Sequence, residues 1–440
     1  MQRTSISTAG FFFGRVRSLC NPKERGFDVP TAYPRRSAWF LILITFIAFI
    51  SLGLPDGLLD IANPRIRDTF DIETDVFSLI FVTGLSGYFL SSFFAGQLVT
   101  RLGIGLLLSA SCFGTALALI GNALSPAWGW FVIVGLLGGA GAGAIDSGLN
   151  TYVATQHGPR LMFWLHASFG LGVTSGTWLM SLVVNSGKTW RLGYAIVGAL
   201  QIGLALCFLI TRTRWNQPHL EANQPPSQPI RTPILTTLRI PVVWLGITLF
   251  FLYTGVEITA GRWSSSLFME GRNIKAEAAG LWVSAYWGLF TFGRIAAGFV
   301  GRRLKPLTFI RLAMVGAMIA ALVLAWNPFA SSGGLALGAM GFAFAPIFPM
   351  LVSLTPQRVG SAHAANTIGF QISAAAIGGA ALPGLTGILA KAMSIEAMPV
   401  VLLIVNTTIL LLHEIILRSP HLNENQSASR LGVTAAHGDR

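Results

Sequence analysis

The chain has 440 residues, of which 53% are hydrophobic and 11% charged. Soluble domains usually carry about 25% charged residues, so this composition excludes an ordinary water-soluble protein. The net charge of +13 is spread over short basic clusters between apolar runs, which favours charges that set membrane topology over a nucleic-acid-binding surface. The cysteines, Cys20, Cys112 and Cys207, show no CxxC spacing, so neither a disulfide framework nor a metal site is predicted.

Apolar runs long enough to cross a bilayer, which takes about 20 residues, recur along the whole chain. They predict an all-α polytopic membrane protein with twelve transmembrane helices in two six-helix bundles. The predicted spans lie at residues 38–60, 77–98, 105–124, 128–153, 163–185, 192–211, 241–262, 279–300, 307–327, 332–354, 365–390 and 396–417.

Polar segments outside the spans divide the chain further. Residues 1–37 and 419–440 are predicted to be cytoplasmic tails, and a linker at 212–240 joins bundles at 38–211 and 241–418. The linker is rich in proline (QPPSQPIRTP), so it should be extended and solvated. The Arg- and Ser-rich, acid-free beginning of the chain leaves two interpretations open, a disordered cytoplasmic tail, which we favour, and an organelle transit peptide.

Lysine and arginine residues indicate the orientation, because they are enriched in cytoplasmic loops. They cluster in the N-terminal tail and after the eighth span, whereas the opposite loops mix acidic and basic residues. Both termini are therefore predicted on the cytoplasmic side of an inner membrane. The basic residues on that side are Arg15, Arg17, Lys23, Arg25, Arg35, Arg36, Arg101, Arg160, Arg302, Arg303, Lys305, Arg358 and Arg418.

A weak internal repeat links the two halves. It consists of GYFLSSFFAGQLVTRLG from Gly87 and GLFTFGRIAAGFVGRRL from Gly288. Each segment is an aromatic, glycine-punctuated helix that runs into a basic turn, at the matching place in its half. Two parallel six-span halves place a solute site between them, near the bilayer midplane.

These features resemble the major facilitator superfamily, which implies the two-bundle fold and transport by alternating access. In the signature turn of that family, an acidic residue precedes an arginine. Here Thr100 and Gly301 take the acidic positions, while Arg101 and Arg302 remain. These arginines, together with Arg294 in span eight, are the predicted gating residues. The missing acids weaken the expectation of a charged latch between the halves.

Ionisable side chains inside the spans are costly and indicate function by default. Asp56 and Asp60 lie four residues apart in span one and share a helix face, although an interfacial position is the alternative for each. Pro55 is expected to loosen the helix beside Asp56. Asp146 and Asn150 share a face of span four with glycines, which turns the carboxylate into the bundle. A structural hydrogen bond is the alternative there.

The remaining candidates lie in both halves. His166 opens span five and suits a proton relay, with an interfacial position as the alternative. In span seven, Glu257 and Tyr253 lie one turn apart and suit a sugar or proton site. Arg294 either pairs with a carboxylate or extends to the interface, and Trp287 either stacks on a sugar ring or packs. The amides of span eleven suit solute hydroxyl groups. The predicted substrate-binding residues are Asp146, Asn150, Tyr253, Glu257, Trp287, Asn366 and Gln371, and the predicted proton-coupling residues are Asp56, Asp146, Glu257 and His166.

Several strings within the spans are more specific, among them SLGLPDGLLD, GAIDSGLN, WLHASFGLG, LYTGVEITAGRW and FAPIFPMLVSLTP. They closely resemble the fucose–galactose–glucose proton symporter family, a branch of the same superfamily. The resemblance implies sugar uptake coupled to proton entry, with Asp56 and Asp146 matching the acids that serve coupling and sugar binding. The family commonly has Glu in span four, so Asp146 is one methylene shorter.

The predicted activity is therefore proton-coupled uptake of a sugar or similar small polar solute, with no cofactor besides the proton gradient. The expected partners are the solute and the lipid bilayer, without nucleic acid, and the oligomeric state stays open, a monomer being plausible. Export of an amphipathic compound and a non-transporting receptor or scaffold are the alternatives. An integral-membrane enzyme is not favoured, because the sequence holds no HExxH, CxxC or GxxxxGK[ST] motif.

Overall fold

The computed structural model describes residues 35–215, 232–301 and 303–418, and they are almost entirely helical. We number the long helices α1 to α12 in chain order, and α10 consists of two segments. A π-helical turn, Leu267–Gly271, continues α7. The helices are α1 Arg35–Phe70, α2 Leu79–Leu102, α3 Ile104–Ala123, α4 Trp128–Gln156, α5 Pro159–Asn185, α6 Trp190–Trp215, α7 Pro241–Ser266, α8 Ala276–Val300, α9 Pro306–Trp326, α10 Ser332–Phe344 with Ile347–Val359, α11 Ser361–Ala392 and α12 Ala397–Arg418.

The predicted all-α, twelve-helix membrane fold is confirmed. In the described part of the chain, 11 of these helices are both long and apolar enough to cross a membrane. The remaining one, α8, has 25 residues, which also suffices for a bilayer. Its central Arg294 and its Trp and Tyr residues lower its mean hydropathy. The chain is therefore a multi-pass membrane protein.

Helix α1 differs from its prediction in length and continuity. It extends to Phe70, ten residues beyond the predicted end at 60, and it continues without a break through Pro55. The expected unwinding beside Asp56 is therefore wrong for this structure. Proline has no N–H to bond the carbonyl four residues earlier, and here the Nε2 of Gln201 donates to that carbonyl, Ser51 O, at 3.3 Å. A side chain from α6 thus replaces the missing backbone hydrogen bond.

The internal repeat appears as repeated helix pairing. In the first half α1 packs on α5, α2 on α4 and α3 on α6, and in the second half α7 packs on α11, α8 on α10 and α9 on α12. Glycines allow close backbone approach at equivalent places. A Cβ at Gly172 of α5 would collide with the Ile50 carbonyl of α1, and one at Gly378 of α11 with the Phe251 carbonyl of α7. Small residues at such crossings let membrane helices pack tightly.

The two halves meet mainly where α2 packs against α11 and α5 against α8. In the first contact, the Ser373 hydroxyl of α11 donates to the Phe89 carbonyl of α2 at 3.0 Å. In the second, the indole of Trp164 occupies the space that a side chain at Gly298 would need. Both contacts lie toward the basic turns at Arg101 and Gly301, so the halves are joined on that side.

The predicted extended, solvated linker at 212–240 needs correction within its described residues. Helix α6 continues to Trp215, and residues Ile234–Leu238 form a short helix that we call the linker helix. Thr232 and Thr237 are buried, because this end of the linker is packed against α2 and α11 through hydrogen bonds described below. The proline-rich string itself falls mostly within 216–231 and lies outside the described residues.

The close crossing of α2 and α4 gives a stability prediction. A Cβ at Gly139 would collide with the backbone of Gly84, whereas a Cβ at Gly84 meets nothing within 4 Å. Overpacking typically costs about 1–3 kcal/mol, so we expect Gly139→Ala to lower the thermal unfolding temperature in detergent. Gly84→Ala is the matched control and should leave it unchanged or raise it, since alanine favours helix. Equal effects of the two substitutions would contradict the crossing.

Candidate functional site

A cavity of about 790 Å³ lies between the two halves. Its walls come from α1, α2, α3, α4 and α6 of the first half and from α7, α10 and α11 of the second. On α2 the lining ends at Tyr88, and residues 89–102 take no part. The cavity therefore lies away from the basic turns, on the side where the halves do not touch. Most of its wall is apolar, and its polar side chains are Ser51, Asp56, Ser78, Tyr88, Thr115, Asn122, Tyr194, Thr254 and Arg262.

Asp56 is the acidic side chain in the cavity wall. It is exposed there, because α1 turns this face toward the space between the halves. Asp60, one turn further along, is also exposed but does not line the cavity. The structure thus separates the two acids of span one, and only Asp56 can meet a solute in the cavity.

Asp146 lies behind the cavity wall in a chain of hydrogen bonds. Its side chain is 8% exposed, and its Oδ2 accepts a hydrogen bond from the Tyr88 hydroxyl. Its Oδ1 accepts one from Asn150 Nδ2 at 2.7 Å. Asn150 Oδ1 in turn lies 3.1 Å from His166 Nε2. The glycine-bearing face of α4 therefore turns into the bundle as predicted, and three of the predicted residues form one network.

His166 is buried rather than interfacial. It is 8% exposed, and its ring stands edge-on between Phe49 of α1 and Phe348 of α10, with ring centroids 5.4 and 5.1 Å away. Its backbone carbonyl accepts a hydrogen bond from Arg294 Nη1 at 3.4 Å. The His166 position thus joins the Asp146 network to the second half.

Arg294 does not extend to an interface, and it does not form an ion pair with Glu257 among the described residues. Its guanidinium carbon lies 4.0 Å from the ring centroid of Phe290, a cation–π arrangement. Glu257 itself is buried and away from the cavity wall. Its backbone carbonyl accepts a hydrogen bond from Tyr286 at 2.8 Å. Tyr253, also buried, donates to the Phe344 carbonyl at 2.7 Å. Its side chain also contacts that of Glu257, and Arg294 lies close enough to act on Glu257 electrostatically.

Three predicted solute contacts do not line the cavity. Trp287 is 37% exposed, and it packs against Gly261. Gln371 is 2% exposed, and its Oε1 accepts a hydrogen bond from Thr355 at 2.9 Å. Asn366 joins the halves near the basic turns. In this conformation each of the three side chains contacts neighbouring residues instead of facing the cavity, and their role in solute binding stays a prediction.

Asn366 is the centre of a neutral contact that we call the amide latch, formed by Gln97, Asn366, Thr232 and Thr237. Gln97 of α2 donates to the Thr232 carbonyl at 2.7 Å. Asn366 of α11 donates to the same carbonyl at 3.0 Å and to the Thr237 hydroxyl at 3.1 Å. Gln97 also approaches Asn366 Oδ1 at 3.5 Å. The linker thus bridges the first half to the second without any charge.

Of the predicted gating arginines, Arg294 contacts the opposite half through the His166 carbonyl. Arg101 is exposed, and the described part of the chain offers it no ion-pair partner. Arg302 lies outside the described residues. No sequence pattern singled out Gln97 or Thr232, and the sequence analysis missed Tyr88 as well. A signal for Tyr88 existed, because it is the one polar aromatic residue in the first repeat segment, adjacent to Gly87.

The described residues hold no group of three or more His, Cys, Asp or Glu side chains suited to a metal ion. Two buried polar atoms at the cavity lack a protein partner in the described structure, Asn122 Oδ1 and Thr254 Oγ1. They come from opposite halves, from α3 and α7. Both residues line the cavity, while the two oxygen atoms themselves are buried in this conformation.

Comparison with known proteins agrees with this architecture. A Bacillus subtilis glucose/mannose transporter, GlcP, is 24% identical over 354 residues, covering 78% of this chain and 86% of GlcP. Bypass of stop codon protein 6 of Saccharomyces cerevisiae is 24% identical over 396 residues, covering 81% of this chain and 78% of the yeast protein. The crystal structure of the transporter FucP in the outward conformation superposes with a TM-score of 0.70 at 18% identity, covering 86% of this chain and 98% of FucP.

The sequence model of the Major Facilitator Superfamily matches residues 41–383. This range runs from α1 into α11, so it includes the first bundle and most of the second, with the contacts between them. The chain therefore belongs to the major facilitator superfamily.

Proposed function

We propose that this protein is a secondary active transporter that moves a sugar or similar small polar solute by alternating access, coupled to proton entry. The observation that supports it is the cavity between the halves. Asp56 is exposed in its wall, and Asp146 is hydrogen-bonded to the hydroxyl of Tyr88, which also lines the cavity. Relatives in this family include transporters of glucose with mannose or galactose. Family membership makes transport the expected activity in place of catalysis.

The cavity suits a hydroxylated solute for chemical reasons. Ligand sites are mostly apolar with a few placed polar groups, and this wall has that composition. Thr254 and Asn122 carry the unpartnered oxygen atoms, while Tyr88 and Ser51 add hydroxyl groups. A site built to hydrogen-bond hydroxyl groups discriminates strongly against analogues that lack them. The cavity is complete within one chain, so a monomer suffices for this function.

Proton coupling rests on the acids at the cavity. A carboxylate in a membrane bundle is costly unless it is hydrogen-bonded or paired, and Asp146 meets that condition through Tyr88 and Asn150. Protonation removes its charge and changes the hydrogen bonds around it, which gives the protein two states of the site. We assign coupling to Asp56 and Asp146. No cofactor other than the proton gradient is required, and the coupling ion is the first property to test because some relatives are sodium-dependent glucose transporters.

Alternating access requires each side of the cavity to close and open reversibly. We propose that the side with the basic turns is cytoplasmic in an inner membrane, with both termini there, following the positive-inside rule. The amide latch closes that side in this structure. A neutral hydrogen bond contributes only about 0.5–1.5 kcal/mol net, because water replaces it on opening. The latch therefore holds the closed side without making it hard to open.

The deciding experiment for the function is uptake of D-glucose, D-galactose, D-mannose and L-fucose into proteoliposomes, with a pH gradient and without one. A gradient of one pH unit corresponds to about 1.36 kcal/mol, so a one-proton symporter accumulates its sugar up to about tenfold. Competition among the sugars identifies the preferred solute. Uptake that is driven by a sodium gradient and does not change with pH would identify sodium as the coupling ion. Uptake of none of the sugars would contradict the proposed function.

Asp146→Asn should uncouple transport. We expect pH-driven accumulation to fall from about tenfold per pH unit to about equilibrium, while counterflow of the same sugar continues, because exchange needs no net proton movement. Asp68→Asn is the control, since Asp68 is exposed at the end of α1, away from the cavity. Unaltered accumulation in Asp146→Asn would exclude Asp146 as the coupling acid.

Asn366→Ala should weaken closure of the cytoplasmic side. The lost hydrogen bonds are worth about 1–3 kcal/mol together, which corresponds to roughly 5–150-fold in the equilibrium between closed and open forms. Labelling of Ala95→Cys with a thiol reagent, in a chain without its native cysteines, measures this equilibrium, because Ala95 is 1% exposed at the α2–α11 contact. We expect faster labelling in Asn366→Ala.

The matched control for this labelling is Asn406→Ala. Asn406 is 2% exposed and Asn366 4%, but the Asn406 amide donates only within its own helix, to the Leu402 carbonyl at 2.8 Å. Its loss should not change the labelling rate at position 95. Equal rates for the two alanine variants would show that the amide latch does not hold the halves together.

A further inference from the structure

Tyr88 stands between the cavity and Asp146. Its side chain is part of the cavity wall, and its hydroxyl donates to Asp146 Oδ2. Asp146 is 8% exposed and does not reach the wall. Water or a solute in the cavity therefore meets the Tyr88 hydroxyl before it can meet the carboxylate.

The other side of Asp146 is closed by the same network. Asn150 gives its amide N–H to Asp146 Oδ1, so its oxygen is left to accept from His166. This arrangement requires a hydrogen on His166 Nε2, an assignment made from the hydrogen-bond network. His166 in turn lies between aromatic rings and beneath the contact with Arg294. Among the described side chains, Tyr88 is therefore the polar route from the cavity to Asp146.

We propose that Tyr88 passes the coupling proton between cavity water and Asp146, and that it presents the protonation state of Asp146 to the solute. This inference rests on the proposed function and adds a residue to it. In the transfer, the Tyr88 oxygen takes a proton from hydronium in the cavity while its own hydroxyl proton moves to Asp146 Oδ2. One proton leaves the cavity, the carboxylate becomes a carboxyl group, and Tyr88 is neutral before and after.

The hydrogen-bonding role of Tyr88 toward the cavity reverses with this step. A tyrosine hydroxyl has one proton to donate and lone pairs to accept. While Asp146 is ionised, that proton is used on Asp146, and only lone pairs of Tyr88 face the cavity. Once Asp146 is protonated, its O–H donates to the Tyr88 oxygen and the Tyr88 hydroxyl turns its proton to the cavity. Solute oxygens that accept hydrogen bonds then bind more tightly.

This reversal links the proton to the solute through one side chain. Asp56, Tyr194 and Arg262 are the other titratable or charged side chains of the wall. Within the described residues, the Tyr88 hydroxyl hydrogen-bonds Asp146 and none of these three. A buried hydrogen-bonding group that is left without a matching partner is unfavourable. Solute binding and protonation of Asp146 therefore favour each other, and the linkage is reciprocal.

The transport test uses Tyr88→Phe, which removes the hydroxyl and keeps the ring. The assay uses proteoliposomes and the sugar that the unaltered protein takes up in the panel above. We expect pH-driven accumulation to fall from about tenfold per pH unit to near equilibrium, while counterflow continues. Tyr194→Phe is the matched control, because Tyr194 also lines the cavity but contacts aromatic rings of α4 and α6 and not Asp146. Because Tyr194 lines the cavity, the rate of transport in Tyr194→Phe is not the readout. The ratio of accumulation to counterflow should stay normal in this variant. Full accumulation in Tyr88→Phe overturns the proposal.

A second measurement needs no solute and separates this inference from the proposed function. Infrared difference spectra between acidic and alkaline pH show the C=O band of protonated Asp146, identified by its loss in Asp146→Asn. The band position depends on the hydrogen bonds of the carboxyl group, so we expect it to shift in Tyr88→Phe and not in Tyr194→Phe. An unshifted band overturns the proposal even if sugar transport is lost. A shifted band supports it even if no sugar in the panel is carried.

Double substitution gives the last check. If Tyr88 acts through Asp146, the variant with both Tyr88→Phe and Asp146→Asn should accumulate sugar no worse than Asp146→Asn alone, since residues that act as a unit are not additive. Counterflow that falls in the double variant by the combined effects of the two single substitutions would show that Tyr88 acts on the fold or on the solute independently of Asp146, and would overturn the proposal.

Discussion

The carboxylate of Asp146 inside the first bundle is the constraint on which the arrangement of the site depends. A charge in the membrane interior needs compensating hydrogen bonds, and here they come from Tyr88 on α2 and Asn150 on α4. Those partners fix the crossing of α2 and α4, where glycines bring the backbones together. The same network continues to His166 and so to Arg294 in the second half. One buried acid thereby organises a cavity wall on one side and an interdomain contact on the other.

The distribution of charge across the molecule follows from this arrangement. Ion pairs of the second half, Arg272 with Glu396 and Arg311 with Glu414, lie at helix ends, where they fasten neighbouring helices of one bundle. The amide latch, which joins the two halves near the basic turns, is uncharged. Breaking a buried ion pair by separating its partners would leave charges uncompensated and is strongly unfavourable. Neutral amides exchange their partners for water at small cost, which suits a contact that alternates.

Much of the fold was predictable because its signals are local. The length of the apolar runs located the helices. The glycines before Asp146 and Asn150 correctly predicted that this face of α4 turns into the bundle. Pro55 misled the prediction, because the carbonyl it leaves free is satisfied by Gln201, 146 positions further along the chain. Asn366 misled it in the same way. Its partners Thr232 and Thr237 come from the linker, and no spacing within α11 reveals that the linker is packed there. Residue type indicated hydrogen bonding in each case, while the identity of the partner required the tertiary structure.

The position of Tyr88 connects these points. An acid that faced the cavity directly would exchange protons with water whether or not a solute was present, so coupling would depend on the solute touching it. Covering Asp146 with a hydroxyl group makes every exchange pass through an atom that the solute also contacts. Because a hydroxyl donates only one proton, Tyr88 can serve Asp146 or the solute as donor, but not both. Competition for a single hydrogen bond is then sufficient to link proton and solute, without a charge exposed at that point of the cavity.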